Sequence, residues 1–191
     1  MKTISSIVCI GHWNVRIFTP NWVYKYVFNI QNEKSMDVKL QNNSSSVQYR
    51  YDAIDFSVSD NKLELKTNSD DKRILNEIER IFKNITILLN HTPIFAIGYN
   101  IVCDLDETER KESNLFNKLT NETKYCDYSL QSETLFKKNG VFDCSIILSL
   151  NNSGGRIVCN YQLKSLSEIP EEGVVYSLIK KDYKELFNYE L

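Results

Sequence analysis

From Phe95 to Leu105 every second residue is apolar: Phe95, Ile97, Tyr99, Ile101, Cys103 and Leu105. A period of two held over that length fits a strand with one buried face and excludes a helix, whose apolar period is 3.6. The same alternation returns in Phe142, Cys144, Ile146, Leu148 and Leu150, and again in Ile157, Cys159, Tyr161 and Leu163. The turn-forming run Asn151 to Gly155 between those two segments predicts a hairpin.

Further strands are expected at 3–10, 36–41, 47–59, around Leu63 to Leu65, and at 127–137. Within 47–59 the apolar parity changes, from Val47, Tyr49 and Tyr51 to Ile54, Phe56 and Val58, which predicts a β-bulge near Asp52-Ala53. Asp60-Asn61 predicts a two-residue turn. Thr19-Pro20 marks a helix start, with Thr19 as cap and Pro20 in the first turn, where its missing donor is harmless. Ile74, Ile78, Ile81, Phe82, Ile85, Leu88 and Leu89 lay one stripe along a helix over 70–89, with Ser69 as its expected cap. A second amphipathic helix follows Pro170, carrying Val175, Ile179, Tyr183 and Leu186.

Strands that arrive in consecutive runs, without helical crossovers, define the α+β class. The expected architecture is a mostly antiparallel sheet of seven to eight strands with two long amphipathic helices packed on one face. Residues 1–191 read as a single domain, with a possible lobe boundary in the polar segment 106–126. The small residues Ala96, Gly98 and Asn100 place helix 70–89 over their side of the long strand. No repeat at a fixed period is visible.

Twenty-three Lys and Arg against 25 Asp and Glu leave a formal charge of −2, with no polybasic run. That balance argues against nucleic acid and against an anionic membrane surface as partners. The amino-terminal apolar stretch Ile7 to Ile10 is too short for a secretory signal, so a cytoplasmic protein with no membrane association is expected. Five cysteines without a C-x-x-C pair, and only two histidines, point to buried thiols rather than a metal site.

Two constellations carry chemistry. Trp13, Tyr24, Tyr49 and Tyr51 are candidates for anchoring an interface, because so many aromatics in so short a chain strain the capacity of one core. Asp104-Leu105-Asp106-Glu107-Thr108, directly after an apolar strand, resembles the opening D-x-D-x-T motif of haloacid-dehalogenase-type phosphatases, with Glu107 where that family has Gly. The resemblance implies Asp104 as nucleophile, Asp106 as acid/base and the pair as ligands for Mg²⁺. His12 and His91 are the only histidines; His91, near the end of helix 70–89, suits a capping role.

The segment Thr92 to Asn100, after an amphipathic helix and opening a strand, resembles a segment of small uncharacterised bacterial and phage α+β proteins. That likeness implies a fold and no activity. The expectation is a non-enzymatic cytosolic protein-interaction module of bacterial or phage origin, binding a protein partner or itself, with no cofactor. Host–phage conflict is the setting that its composition and chain size suggest. The alternative is a metal-dependent phosphate-ester hydrolase using Asp104, Asp106 and Mg²⁺.

Overall fold

The computed structural model describes residues 2–30, 37–40, 46–108, 131–138, 141–151, 154–167 and 169–187. The possible lobe boundary at 106–126 lies almost wholly outside them, and Cys126 wholly so. Nine strands form one antiparallel sheet: β1 (Lys2–Gly11), β2 (Asp37–Leu40), β3 (Ser46–Tyr51), β4 (Ile54–Ser59), β5 (Lys62–Thr67), β6 (Ile94–Leu105), β7 (Gln131–Lys138), β8 (Phe142–Asn151) and β9 (Gly154–Leu163). Their spatial order is β2-β3-β4-β5-β1-β6-β9-β8-β7.

The ninth strand comes from the segment read as one bulged strand. Tyr51 pairs with Ile54, so Asp52-Ala53 is the two-residue turn of a hairpin, and Asp52 takes a φ of 53° there. A chain that reverses keeps both arms on the same sheet face while its sequence parity flips, which is the pattern a bulge also produces. Asp60-Asn61 makes the expected turn between Val58 and Leu63.

Among the described residues three α-helices cover one face. Helix α1 (Pro20–Trp22) begins where Thr19 accepts from Trp22 N and runs into a wider turn over Val23–Val27. Among the described residues α2 (Lys72–Leu88) is the one long helix, at 17 residues; α3 (Val174–Phe187) has 14 and falls short of the second long helix expected. Asp71, rather than Ser69, caps α2 by accepting from Arg73 N at 2.8 Å. Ser69 acts one step earlier, accepting from Asp71 N at 3.2 Å.

The core lies between these helices and one side of the sheet, built from the odd residues of β1, β5, β6 and β9 and the even residues of β4 and β8. Phe82 of α2 and Tyr176 of α3 both meet the ring of Tyr99 edge-on. Helix α2 therefore packs on the large-residue side of β6. Ala96, Gly98 and Asn100 stand on the opposite side, which none of the three helices covers. The expectation that α2 sits over those small residues fails because burial of Phe82 and Tyr99 outweighs close backbone approach.

The order also repeats. From β1 the sheet runs outward through β5, β4 and β3, and α2 follows that set in the chain. From β6 it runs outward through β9, β8 and β7, and α3 follows. Antiparallel β1 and β6 meet in the middle, so a pseudo-two-fold axis passes between them. The helices obey it, lying antiparallel side by side. Glu79 of α2 accepts from Gly173 N at 2.5 Å and Tyr176 N at 3.1 Å at the start of α3. Lys180 of α3 donates in turn to the Asp70 carbonyl before α2, at 3.2 Å.

Cys9, Cys103, Cys144 and Cys159 are all buried and unbridged. Burial pushes the Cys9 thiol up to about 12 and the Cys103 thiol to about 11, so neither forms thiolate near neutrality. In a Cys126→Ser variant the native protein should therefore resist a thiol reagent for hours and take up four equivalents once unfolded in guanidinium. Rapid labelling of the native protein would contradict this packing.

Candidate functional site: the open face of the sheet

The aromatic candidates sit on the helix side. Trp13 and Tyr49 are 3% and 2% exposed. The Trp13 indole donates to the Cys9 carbonyl at 3.3 Å, and the Tyr49 hydroxyl donates to the Phe18 carbonyl. Tyr51 is half-buried against Phe28, with ring centroids 5.2 Å apart. These three join Phe18, Phe28 and Phe56 in one internal cluster beneath α1. Tyr24, in the wider turn after α1, is half-buried. The large apolar surfaces of the cluster stabilise the first half of the sheet from within.

Asp104 lies on the opposite face. Its carboxylate takes two bonds from Arg156 of the neighbouring strand, 2.6 Å to Nε and 3.3 Å to Nη2, and the pair keeps the guanidinium charged by raising it further. A cation at Asp104 would have to displace that fork. Asp106 accepts from Thr108 N at 2.9 Å, in the pattern of a helix cap. The described residues hold no group of three or more metal-ligating side chains. Two carboxylates engaged in this way leave the hydrolase reading without a supporting observation.

What the structure brings together on the open face is a set of cross-strand rows. Ile4 pairs with Val102, Val102 with Val158, and Val158 with Ile147. Four β-branched aliphatic side chains thus stand abreast on β1, β6, β9 and β8, each only half-buried. On one side runs a neutral polar row, Ser6, Asn100, Asn160 and Ser145; on the other stand Lys2, Asp104, Arg156 and Ser149. Cross-strand neighbours of this kind shield one another, which explains why none of the four aliphatics is fully exposed.

The outer strands of the first half differ. A groove of about 340 Å³ over β3, β4 and β5 is lined by Asp37, Arg50, Asp55, Glu64 and Lys66 among others. Arg50 grips Asp55 with two bonds of 2.6 and 2.8 Å. Alternating charges along a sheet surface near its edge suit solvent and discourage edge pairing. The apolar row belongs to the centre and second half alone.

Sequence reasoning missed this face, although a signal for it exists. Ile101-Val102, Ile146-Ile147 and Ile157-Val158 are doublets that make a strand aliphatic on both sides at one level. A single doublet is unremarkable; three that fall in register need the strand order to be seen.

No protein-family model and no curated protein matches this chain. The fold defines it as an α+β protein built on an antiparallel sheet whose described helices lie on one face, and among the described residues no helix is long and apolar enough to cross a membrane.

Proposed function

We propose that this chain is a non-catalytic protein-interaction module whose working surface is the open face of the sheet. The observation that carries the reading is the row Ile4, Val102, Val158 and Ile147, flanked by neutral amides and hydroxyls on one side and by an ion pair on the other. An apolar centre, depleted of charge and bordered by hydrogen-bonding groups, is the anatomy of a protein interface. Trp13 and Tyr49, expected as anchors, are buried on the helix side beneath the first half of the sheet, so the row draws on other residues.

A photo-crosslinking residue at Val158, set against one at the exposed Ser177 of α3, tests the reading in the native cell. Discrete protein adducts should form from position 158 and not from 177. Adducts from 177 alone, or from neither, would overturn it.

A further inference from the structure

The charged groove over β3, β4 and β5 contains a cation that no described residue answers. Its volume is about 340 Å³, inside the roughly 300–1,000 Å³ of small-molecule sites. Two ion pairs border it: Arg50 grips Asp55 at 2.6 and 2.8 Å, and Lys62 reaches Glu64 at 2.9 Å. The remaining acid of the lining, Asp37, stands across the strands from Arg50 and adds to the field that keeps that guanidinium charged. Lys66 also lines the groove and is half-buried, yet among the described residues it makes neither an ion pair nor a hydrogen bond. Its cross-strand neighbour Asp55 is taken by Arg50 instead. Lysine is mostly an exposed residue, and as a rule it is drawn inward only with a partner.

Edge protection does not account for Lys66. Its strand β5 is fourth from the β2 edge and is paired on both sides, so no unpaired edge lies beside it. Nor does the fold require charge at this level of the sheet. Ser6 and Asn100 pair with each other across the pseudo-two-fold. Reading outward from Ser6 gives Lys66, Asp55 and Arg50, whereas reading outward from Asn100 gives Asn160 and Ser145. The same row is ionic in one half of the molecule and neutral in the other.

We propose that the groove binds a small molecule through an oxyanion, a carboxylate or a phosphate, which Lys66 holds. Gln48 and Ser57 line the same space, and among the described residues neither side chain makes a hydrogen bond. The amide and the hydroxyl are both donors that an oxyanion can accept from. With Asp37 and Asp55 set against Arg50, and Glu64 against Lys62, the uncommitted groups of the groove are one ammonium, one amide and one hydroxyl. That set complements a single oxyanion and not a cation. An ammonium is a point charge with three rotatable donors and imposes no planar fork, so it accommodates either anion. None of these groups belongs to the aliphatic row, so the site stands apart from the interaction reading above.

The test is a titration of the ¹⁵N-labelled full chain with sodium phosphate and, separately, sodium acetate. Each anion runs from about 0.1 to about 50 mM, a span that covers a Kd near 1 mM, at constant ionic strength so that screening does not change. At least one of the two should give saturable amide shifts at Gln48, Ser57 and Lys66. In Lys66→Gln that binding should weaken by about tenfold or more. Lys72→Gln makes the same change in net charge at an exposed position on the helix side and should leave the binding unchanged. The amide spectrum of each variant shows directly that it is folded.

A response to phosphate alone identifies the ligand as a phosphate ester, and a response to acetate alone as a carboxylate; a response to both supports the shared chemistry. The absence of saturable shifts with either anion would overturn the proposal, as would binding that survives in Lys66→Gln. Shifts spread over the lysines of the helix layer, or lost equally in Lys72→Gln, would mean an adventitious ion only and would overturn it too.

Discussion

Phe82→Ala is expected to destabilise the fold by about 3–5 kcal/mol, the cost of emptying a fully buried aromatic site in a packed core. Phe82 is 0% exposed and meets Tyr99 edge-on, with centroids 6.3 Å apart. Tyr99 touches Phe142 and Tyr176 in the same manner, so Phe82 is one end of an aromatic chain joining α2, β6, β8 and α3. The cavity would open where the two halves of the molecule meet, and rigid sheet backbone on one side limits how far it can collapse. In a chain of this length the melting temperature should fall by about 10 °C or more. Phe82→Leu should recover more than half of the loss. A drop of under about 1 kcal/mol would mean that α2 does not seal the sheet in this way.

Much of this fold is legible in the sequence because alternation and helical periodicity are local. β6, β8 and β9 are read from their period, and α2 from its stripe. The failures have physical causes. At Tyr51 to Ile54 a parity change is compatible with a bulge and with a tight turn, and only Asp52 at positive φ separates them. At α2, Ser69 and Asp71 are both competent caps, and the loop after β5 decides which one is used. At β6 the small side looks suited to a helix, yet what draws α2 is apolar area on the other side. Least legible is the central pair β1 and β6, which joins Ser6 to Asn100 across most of the first half of the chain. Without it neither the pseudo-two-fold nor the row of Ile4, Val102, Val158 and Ile147 can be drawn. Strand order is a long-range property, so the candidate site, which is made of strand order, stays hidden while the aromatic residues stand out by type alone.

The two halves are also joined by a buried carboxylate, and its removal should be the second large effect. Glu79 is 6% exposed and accepts from Gly173 N and Tyr176 N, donors that begin α3 and have no partner within their own helix. Glu79→Ala strands those donors away from water, at about 1–3 kcal/mol each, so a total loss of about 2–6 kcal/mol is expected. Glu79→Gln keeps one acceptor oxygen and should cost about 1 kcal/mol. The pH dependence tells the two roles of Glu79 apart. Burial raises its pKa above the ordinary carboxylate value, and the backbone donors pull it back only in part. The folded protein therefore holds the Glu79 proton to higher pH than the unfolded chain does. Stability contributed by this group is then fully present below the unfolded value, near 4.5, and declines as pH rises through the folded value. Measured as wild type minus Glu79→Gln, the stability difference should be most favourable to wild type near pH 4, fall as pH rises, and level off once Glu79 is ionised in both states. A difference that instead grew with pH would show that the α3 donors outweigh desolvation, making Glu79 a charged cap rather than a buried acid held between two helices.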